Sequence, residues 1–216
     1  YSALCAAGEL SFDEALDIIR VRAEGMDAAQ PPGTCAMAAI IGPAKETVLD
    51  LVSTHRGKDV LEVANFNSPD QLVISGHLAA VERVVEAAKG LKRTRSVMLP
   101  VSSAFHTSLM APVRESLGKR LERAQLGKPA FPVVANVNAQ PYDAGAAEIK
   151  RSLMDQVVSP VLWEDCVRTM RKSGAVHFIE IGPGKVLAGL LKRIDREAVA
   201  ATVSDMEGIR RFEGAS

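Results

Sequence analysis

The chain has 216 residues, with Lys+Arg and Asp+Glu at 26 each, so its formal net charge is zero. Hydrophobic residues make up 47% and charged residues 24%, the balance of a soluble globular protein with room for one sizeable core, or for one domain with a smaller one inserted. That composition gives no positive footprint for nucleic acid, no apolar run reaches the ~18 residues of a membrane helix, and no secretory signal is visible.

Taken in chain order, Tyr1 through Gly8 is helical in composition, with Gly8 as its stop and no N-cap, so the chain is expected to begin inside a helix and to be a fragment. Ser11-Phe-Asp-Glu14 has the form of a capping box that opens a helix through about Ala28. Thr34 to Ile41 reads as a strand, Pro43 to His55 as a helix and Val60 to Phe66 as a strand. A turn follows at Asn67-Ser-Pro-Asp70, then a strand from Gln71 to Ser75. Leu78 to Leu91 is an amphipathic helix with Val81, Val84, Val85 and Ala88 on one face, and Thr94 to Val101 is a strand. This strand–helix–strand–strand–helix–strand order is ferredoxin-like, over residues 33–101. Beyond it the pattern predicts a helix from Thr107-Ser108 to about Ala124, a strand at Phe131–Asn136, and helices at 145–157 and 161–173. A strand at Val176–Ile181, the turn Gly182-Pro-Gly184, a helix from Lys185 to Ile194 and a short tail close the chain. Alternating strands and helices predict an α/β main domain with a parallel sheet, made of residues 1–32 and 102–216, around the inserted α+β subdomain.

Candidate chemistry centres on Leu99-Pro-Val-Ser-Ser-Ala-Phe-His106. A histidine at a strand-to-helix junction is placed for proton transfer, because its ordinary pKa near ~6.5 lets it accept and return a proton at neutral pH. The bland alternative is a hydrogen-bonded structural histidine, but small residues before it leave room for a substrate and Phe105 supplies an apolar wall. Arg20 and Arg22 lie two apart and so point to different helix faces; one is expected in solvent, and the other could clamp a carboxylate. The amide-rich Asn65-Phe-Asn67 reads as a self-satisfied turn or as part of a ligand site. Gly182-Pro-Gly184-Lys185 lacks the G-x-x-x-x-G-K-[ST] spacing of a phosphate loop and reads as a strand-to-helix turn. His55, His77 and His177 share no spacing and read as structural or exposed. Cys5, Cys35 and Cys166 form no C-x-x-C pair and no metal pattern; they read as reduced thiols of a cytoplasmic protein. No metal site is expected.

Together the segments resemble malonyl-CoA:acyl-carrier-protein transacylases. The resemblance runs from Tyr1 to about Glu207 through Tyr1-Ser-Ala-Leu, Arg22…Met26, Asn65-Phe-Asn67-Ser-Pro, Gln71-Leu-Val-Ile-Ser-Gly76, Ala104-Phe-His106, Gln156…Pro160…Trp163 and Glu180-Ile-Gly-Pro-Gly-Lys-Val186. It implies an α/β-hydrolase-like main domain, incomplete here, with an inserted ferredoxin-like subdomain. It also implies ping-pong transfer of malonyl from malonyl-CoA through an acyl-serine to the pantetheine thiol of acyl carrier protein, in fatty acid biosynthesis. His106 then matches the general base and acid, and Gln156 the residue whose backbone carbonyl holds that histidine's other nitrogen. Arg22 matches the partner of the malonyl carboxylate, while Asn67 and Met26 match positions lining the substrate site. In related acyltransferase domains Ala-Phe-His goes with malonyl and Ala-Ser-His with methylmalonyl, so Phe105 is expected to select malonyl. The resemblance implies no cofactor beyond the phosphopantetheine that the partner carries, a cytoplasmic setting and a monomer.

The elbow G-x-S-x-G of that mechanism is not found in the chain. It is expected just before Tyr1, and without it the fragment is expected to be inactive. Two alternatives stand beside this reading: an acyltransferase domain of a polyketide synthase, and a non-catalytic module that binds acyl carrier protein through basic residues such as Lys92, Arg93 and Arg95.

Overall fold

A computed structural model describes residues 1–101, 103–142 and 145–213, with the backbone alone at 211 and 213. Ser102, in the segment leading to His106, falls outside these residues. A short helix, α1 (Ser2–Ala6), and a 17-residue helix, α2 (Phe12–Ala28), begin the described chain. Ser11 caps α2 through its side-chain oxygen, which accepts the Glu14 N–H at 3.2 Å. Only half of the expected capping box forms, because the Glu14 carboxylate instead accepts from the Gln125 N–H and from Arg120.

The expected βαββαβ run closes into one antiparallel sheet. Strands β1 (Cys35–Ile41), β2 (Leu61–Ser68), β3 (Gln71–His77) and β4 (Arg95–Met98) lie in the order β2-β3-β1-β4. Helices α3 (Lys45–His55) and α4 (Leu78–Ala88) cover one face. The period of two explains the packing. Ala36, Ala38 and Ile40 of β1 and Leu72 and Ile74 of β3 meet Val48, Val52, Val81 and Val84 of the helices. Met37, Ala39 and Val73 point the other way, toward Leu99, Val101 and Phe105. Both faces are therefore covered, which is why β1 and β3 read as nearly continuous apolar runs. Gly42, at φ +112°, turns the chain out of β1 where a Cβ would sit 2.0 Å from the Arg93 carbonyl oxygen.

The remaining elements build the other part. A 3₁₀ turn (Ser108–Met110) leads into α5 (Ala111–Glu122), followed by α6 (Ala146–Val158) and α7 (Trp163–Lys172). Strand β5 (His177–Ile181), α8 (Val186–Ile194), β6 (Val199–Val203) and α9 (Met206–Glu213) end it. Leu4, Leu10, Ile18, Met110, Leu117, Leu121 and Ile149 form one core among α1, α2, α5 and α6. Each such side chain contributes ~1.5–3 kcal/mol on burial. Strands β5 and β6 pair in parallel, with α7 and α8 packed on them through Val167, Leu191, Trp163 and Phe178.

Several expectations are corrected. Phe131–Asn136 is not a strand. Pro132 has no N–H to give a ladder, and only Val134 bridges, to Pro141. The tail after Ile194 holds β6 and α9; β6 is a short run of small residues, whereas Met206, Ile209 and Phe212 recur at helical spacing in α9, a signal missed in the sequence. β2 runs through Asn67 to Ser68, with register shifts after Val63 and Phe66, so the turn is shorter than expected. The helix after His106 begins as a 3₁₀ turn, and the one expected from 161 begins at Trp163, because Val161 is drawn onto β2. The strand expected over Thr94–Val101 is shortened to Arg95–Met98.

Candidate active site

Ala104 is buried, and from there the chain turns sharply. His106 has φ +60°, a left-handed conformation that side-chain-bearing residues adopt at a cost of about 1–3 kcal/mol unless their surroundings hold them there. Three attachments hold it. The Thr107 hydroxyl donates to the Ala104 carbonyl at 2.7 Å. Ser108 donates from its N–H and its hydroxyl to the Glu62 carboxylate, at 3.2 and 2.6 Å. The ring itself is fixed by two backbone carbonyls, of Gln156 at 3.0 Å and Ser159 at 3.2 Å from Nδ1.

Those two carbonyls settle the tautomer. A carbonyl oxygen only accepts, so Nδ1 carries the hydrogen and Nε2 of the neutral ring keeps its lone pair. Burial lowers the His106 pKa from its ordinary value, and the nearby Arg22 charge lowers it further, against the raising effect of the two carbonyls. The ring is thus neutral at neutral pH, and its basic Nε2 has no hydrogen-bond partner among the described residues. The family resemblance implied the Gln156 carbonyl; the Ser159 carbonyl was not foreseen. The Gln156 side chain adds a brace, its Nε2 donating to the carbonyls of Ser159 at 3.0 Å and Pro160 at 3.2 Å.

Two cavities meet at this ring. One, of about 590 Å³, is lined by Arg22, Met26, Phe105 and His106, with Ala23, Glu24 and Asp27 at its side. The second, of about 260 Å³, shares Arg22 and His106 and runs past Tyr1, Asn136, Tyr142 and Gln156. Arg22 belongs to α2 and has no ion-pair partner among the described residues. Arg20, on the other face, pairs with Asp17 in solvent. Helix geometry thus separates the two arginines as their spacing of two demands. Met26 is buried at the end of α2, where its carbonyl accepts from the Ser103 hydroxyl at 3.2 Å. Phe105 packs between the α2–α5 core and the second face of the subdomain sheet.

Asn67 is not brought to this place. It sits at the end of β2 and lines neither cavity. Beneath β5 and β6 an apolar cavity of about 180 Å³ holds Trp163 and Phe178 and a single carboxylate, Glu180. That carboxylate accepts the Leu187 and Ala188 N–H groups at 3.1 and 2.9 Å, occupying the helix end where a phosphate would otherwise sit. His77 is structural: its Nδ1 accepts the Val60 N–H at 3.3 Å and lies 3.2 Å from Asp59. Cys35 and Cys166 are buried and Cys5 half-buried, all as free thiols, and burial pushes the Cys166 thiol up to about 11. Among the described residues no three His, Cys, Asp or Glu side chains converge as metal ligands.

Comparison with known proteins gives the family. The family described as acyl transferase domain matches residues 1–210. The malonyl CoA-acyl carrier protein transacylase of Bacillus subtilis (strain 168) is 41% identical over 211 residues, covering 97% of this chain and 66% of its own length. The crystal structure of malonyl-CoA:acyl carrier protein transacylase from Xanthomonas oryzae pv. oryzae superposes with a TM-score of 0.93 at 39% identity, over 100% of this chain and 68% of that one. A malonyl-transacylase in complex with its type II PKS acyl-carrier protein superposes at 0.94 with 37% identity, over 100% and 70%. The chain spans about two thirds of the length of these relatives. It has the mixed α/β acyltransferase fold with a ferredoxin-like subdomain, and it belongs to the acyl transferase domain family.

Proposed function

We propose that these residues form the histidine side of a malonyl-transfer site, in a protein that moves malonyl from malonyl-CoA to the pantetheine thiol of acyl carrier protein in fatty acid biosynthesis. The observation that carries this reading is the neutral His106 ring, with Nδ1 held by carbonyls and Nε2 free, facing the cavity that Arg22 lines. The names of the relatives support the reaction, and the complex of one relative with its carrier protein supports the partner.

The roles follow from the chemistry. Nε2 of His106 takes the proton of a serine hydroxyl as that oxygen attacks the malonyl thioester carbonyl, and returns it to the CoA sulfur as the C–S bond breaks. In the second half the ring takes the pantetheine thiol proton as the sulfur attacks the serine ester, and gives it back to the serine oxygen. No serine of these 216 residues stands in a G-x-S-x-G elbow. The Gln156 carbonyl orients the ring without adding a third charge. Arg22 pairs with the malonyl carboxylate; Phe105 and Met26 form the apolar wall beside its α-carbon. A place for Asn67 in the substrate site rests on the resemblance alone. The wider reading assigns residues 33–101 to the inserted subdomain and residues 1–32 and 102–216 to the main domain, and describes a monomer in the cytoplasm that needs no metal or cofactor of its own. No described helix is long and apolar enough to cross a membrane.

The test is transfer of labelled malonyl from malonyl-CoA to carrier protein by the natural-length protein and its His106→Ala variant. Loss of label on the carrier in the variant supports the reading; equal transfer by both overturns it, and carrier binding without transfer by either favours the non-catalytic module.

A further inference from the structure

His106 and the carbonyls that orient it belong to segments fifty residues apart, yet both segments are fastened to one strand. On one side, Glu62 of β2 accepts the Ser108 N–H at 3.2 Å and its hydroxyl at 2.6 Å. Ser108 opens the 3₁₀ turn two residues after His106. Thr107, at the N-cap, gives that turn no side-chain cap, since its hydroxyl donates back to Ala104. Glu62 is thus the acceptor for the first N–H of the turn, although it comes from another part of the fold. On the other side, Val161 pairs with the outer edge of the same strand. Its N–H donates to Ala64 at 2.8 Å, and its carbonyl accepts the Phe66 N–H at 2.9 Å. Ser159, two residues earlier, supplies one of the two carbonyls on Nδ1. β2 is an edge strand of its sheet, so this side of its ladder is open to Val161.

A left-handed residue with a buried ring keeps its place only when both flanks are held. We propose that β2 is the frame that sets His106 against its carbonyl acceptors, and that Glu62 is a positioning residue for the histidine. Its carboxylate touches neither the ring nor the cavity beside Arg22; it acts by pinning Ser108 and, through it, the His106 backbone. The inference builds on the proposed role of His106, and its experiment separates the two.

The natural-length protein is compared with its Glu62→Ala, Glu62→Gln and Ser108→Ala variants. The readouts are hydrogen exchange of the His106 Nδ1 proton by NMR, and kcat and KM for malonyl transfer. Loosening a base from its productive geometry should lower kcat about tenfold in Glu62→Ala, with exchange of the Nδ1 proton about tenfold faster and the KM for malonyl-CoA within about twofold. Ser108→Ala, which keeps the backbone N–H bond, should shift the same quantities the same way by less. Glu62→Gln, whose amide oxygen can still accept from Ser108, should return kcat most of the way to the parent value. Unchanged exchange and unchanged kcat in both alanine variants overturn the proposal, and Ser108→Ala alone decides it if Glu62→Ala does not fold. If His106→Ala leaves transfer intact, the proposed function fails, while Nδ1 exchange in the Glu62 variants still decides whether that carboxylate positions the ring.

Discussion

Two histidines of this chain are each held through Nδ1, and the difference between their partners separates a reactive corner from a structural one. His106 is buried and faces two carbonyls, while His77 is half-exposed and faces the Asp59 carboxylate and the Val60 N–H. A carbonyl fixes the tautomer without supplying a charge to stabilise an imidazolium, so burial prevails and His106 stays neutral with a free Nε2. Around His77 the ionic work is done by others. Arg83 donates to Asp59 at 2.7 Å and to the carbonyl of His55, and it holds the Asp59 carboxyl below its ordinary value. His77 closes the start of β2 against the end of β3; His106 closes nothing and opens onto a cavity.

The comparison is broken or sharpened by substitution. His106→Ala should lower malonyl transfer by the natural-length protein about 10²–10⁴-fold, the range a positioned acid–base group supplies. His77→Ala should leave kcat within about twofold of the parent; a comparable loss of transfer in both variants would erase the distinction. Next in size is Arg22→Ala. Leaving the malonyl carboxylate unpaired in a half-buried cavity should cost about 2–5 kcal/mol in kcat/KM for malonyl, with any acetyl transfer far less affected. Equal losses for both acyl groups would remove Arg22 from that role.

Phe105→Ser should raise the use of methylmalonyl relative to malonyl by an amount worth about 1–3 kcal/mol, the usual worth of one methyl in a pocket. Competition between the two CoA thioesters checks this, and an unchanged ratio would sink it. The smallest effect concerns pH. The folded His106 ring binds a proton less tightly than the unfolded one, whose pKa is about 6.5. As pH falls below that value the unfolded chain takes up the proton first, so His106 should lower stability progressively below about pH 6.5 and have no effect above it. Thermal unfolding followed from pH 7.5 to 5.5 should show this slope in the parent and less of it in His106→Gln.

Much of the local structure was legible because it rests on local chemistry. The Ser11 cap, the short apolar runs of β1 and β3 and the apolar face of α4 are all short-range patterns, and each produced its element. The stretches that misled have equally local reasons. Phe131–Asn136 has β-rich composition but a proline where a ladder needs an N–H, and Val199–Val203 is too small and mixed in character to announce a strand.

By itself, the sequence determined the order of the elements from α1 through β4, the separation of Arg20 from Arg22 on opposite faces of α2, and the placing of His106 at the start of a helical segment beside Phe105. Only the tertiary structure decided which carbonyls face the ring, that Ser159 joins Gln156 in doing so, that Glu62 caps a turn forty-six residues away, and that Asn67 ends on β2 and lines neither cavity. The reason is physical: side-chain types and their periods are written residue by residue, whereas every backbone carbonyl is chemically alike. Which one meets a given ring is settled when distant segments pair along the edge of a strand.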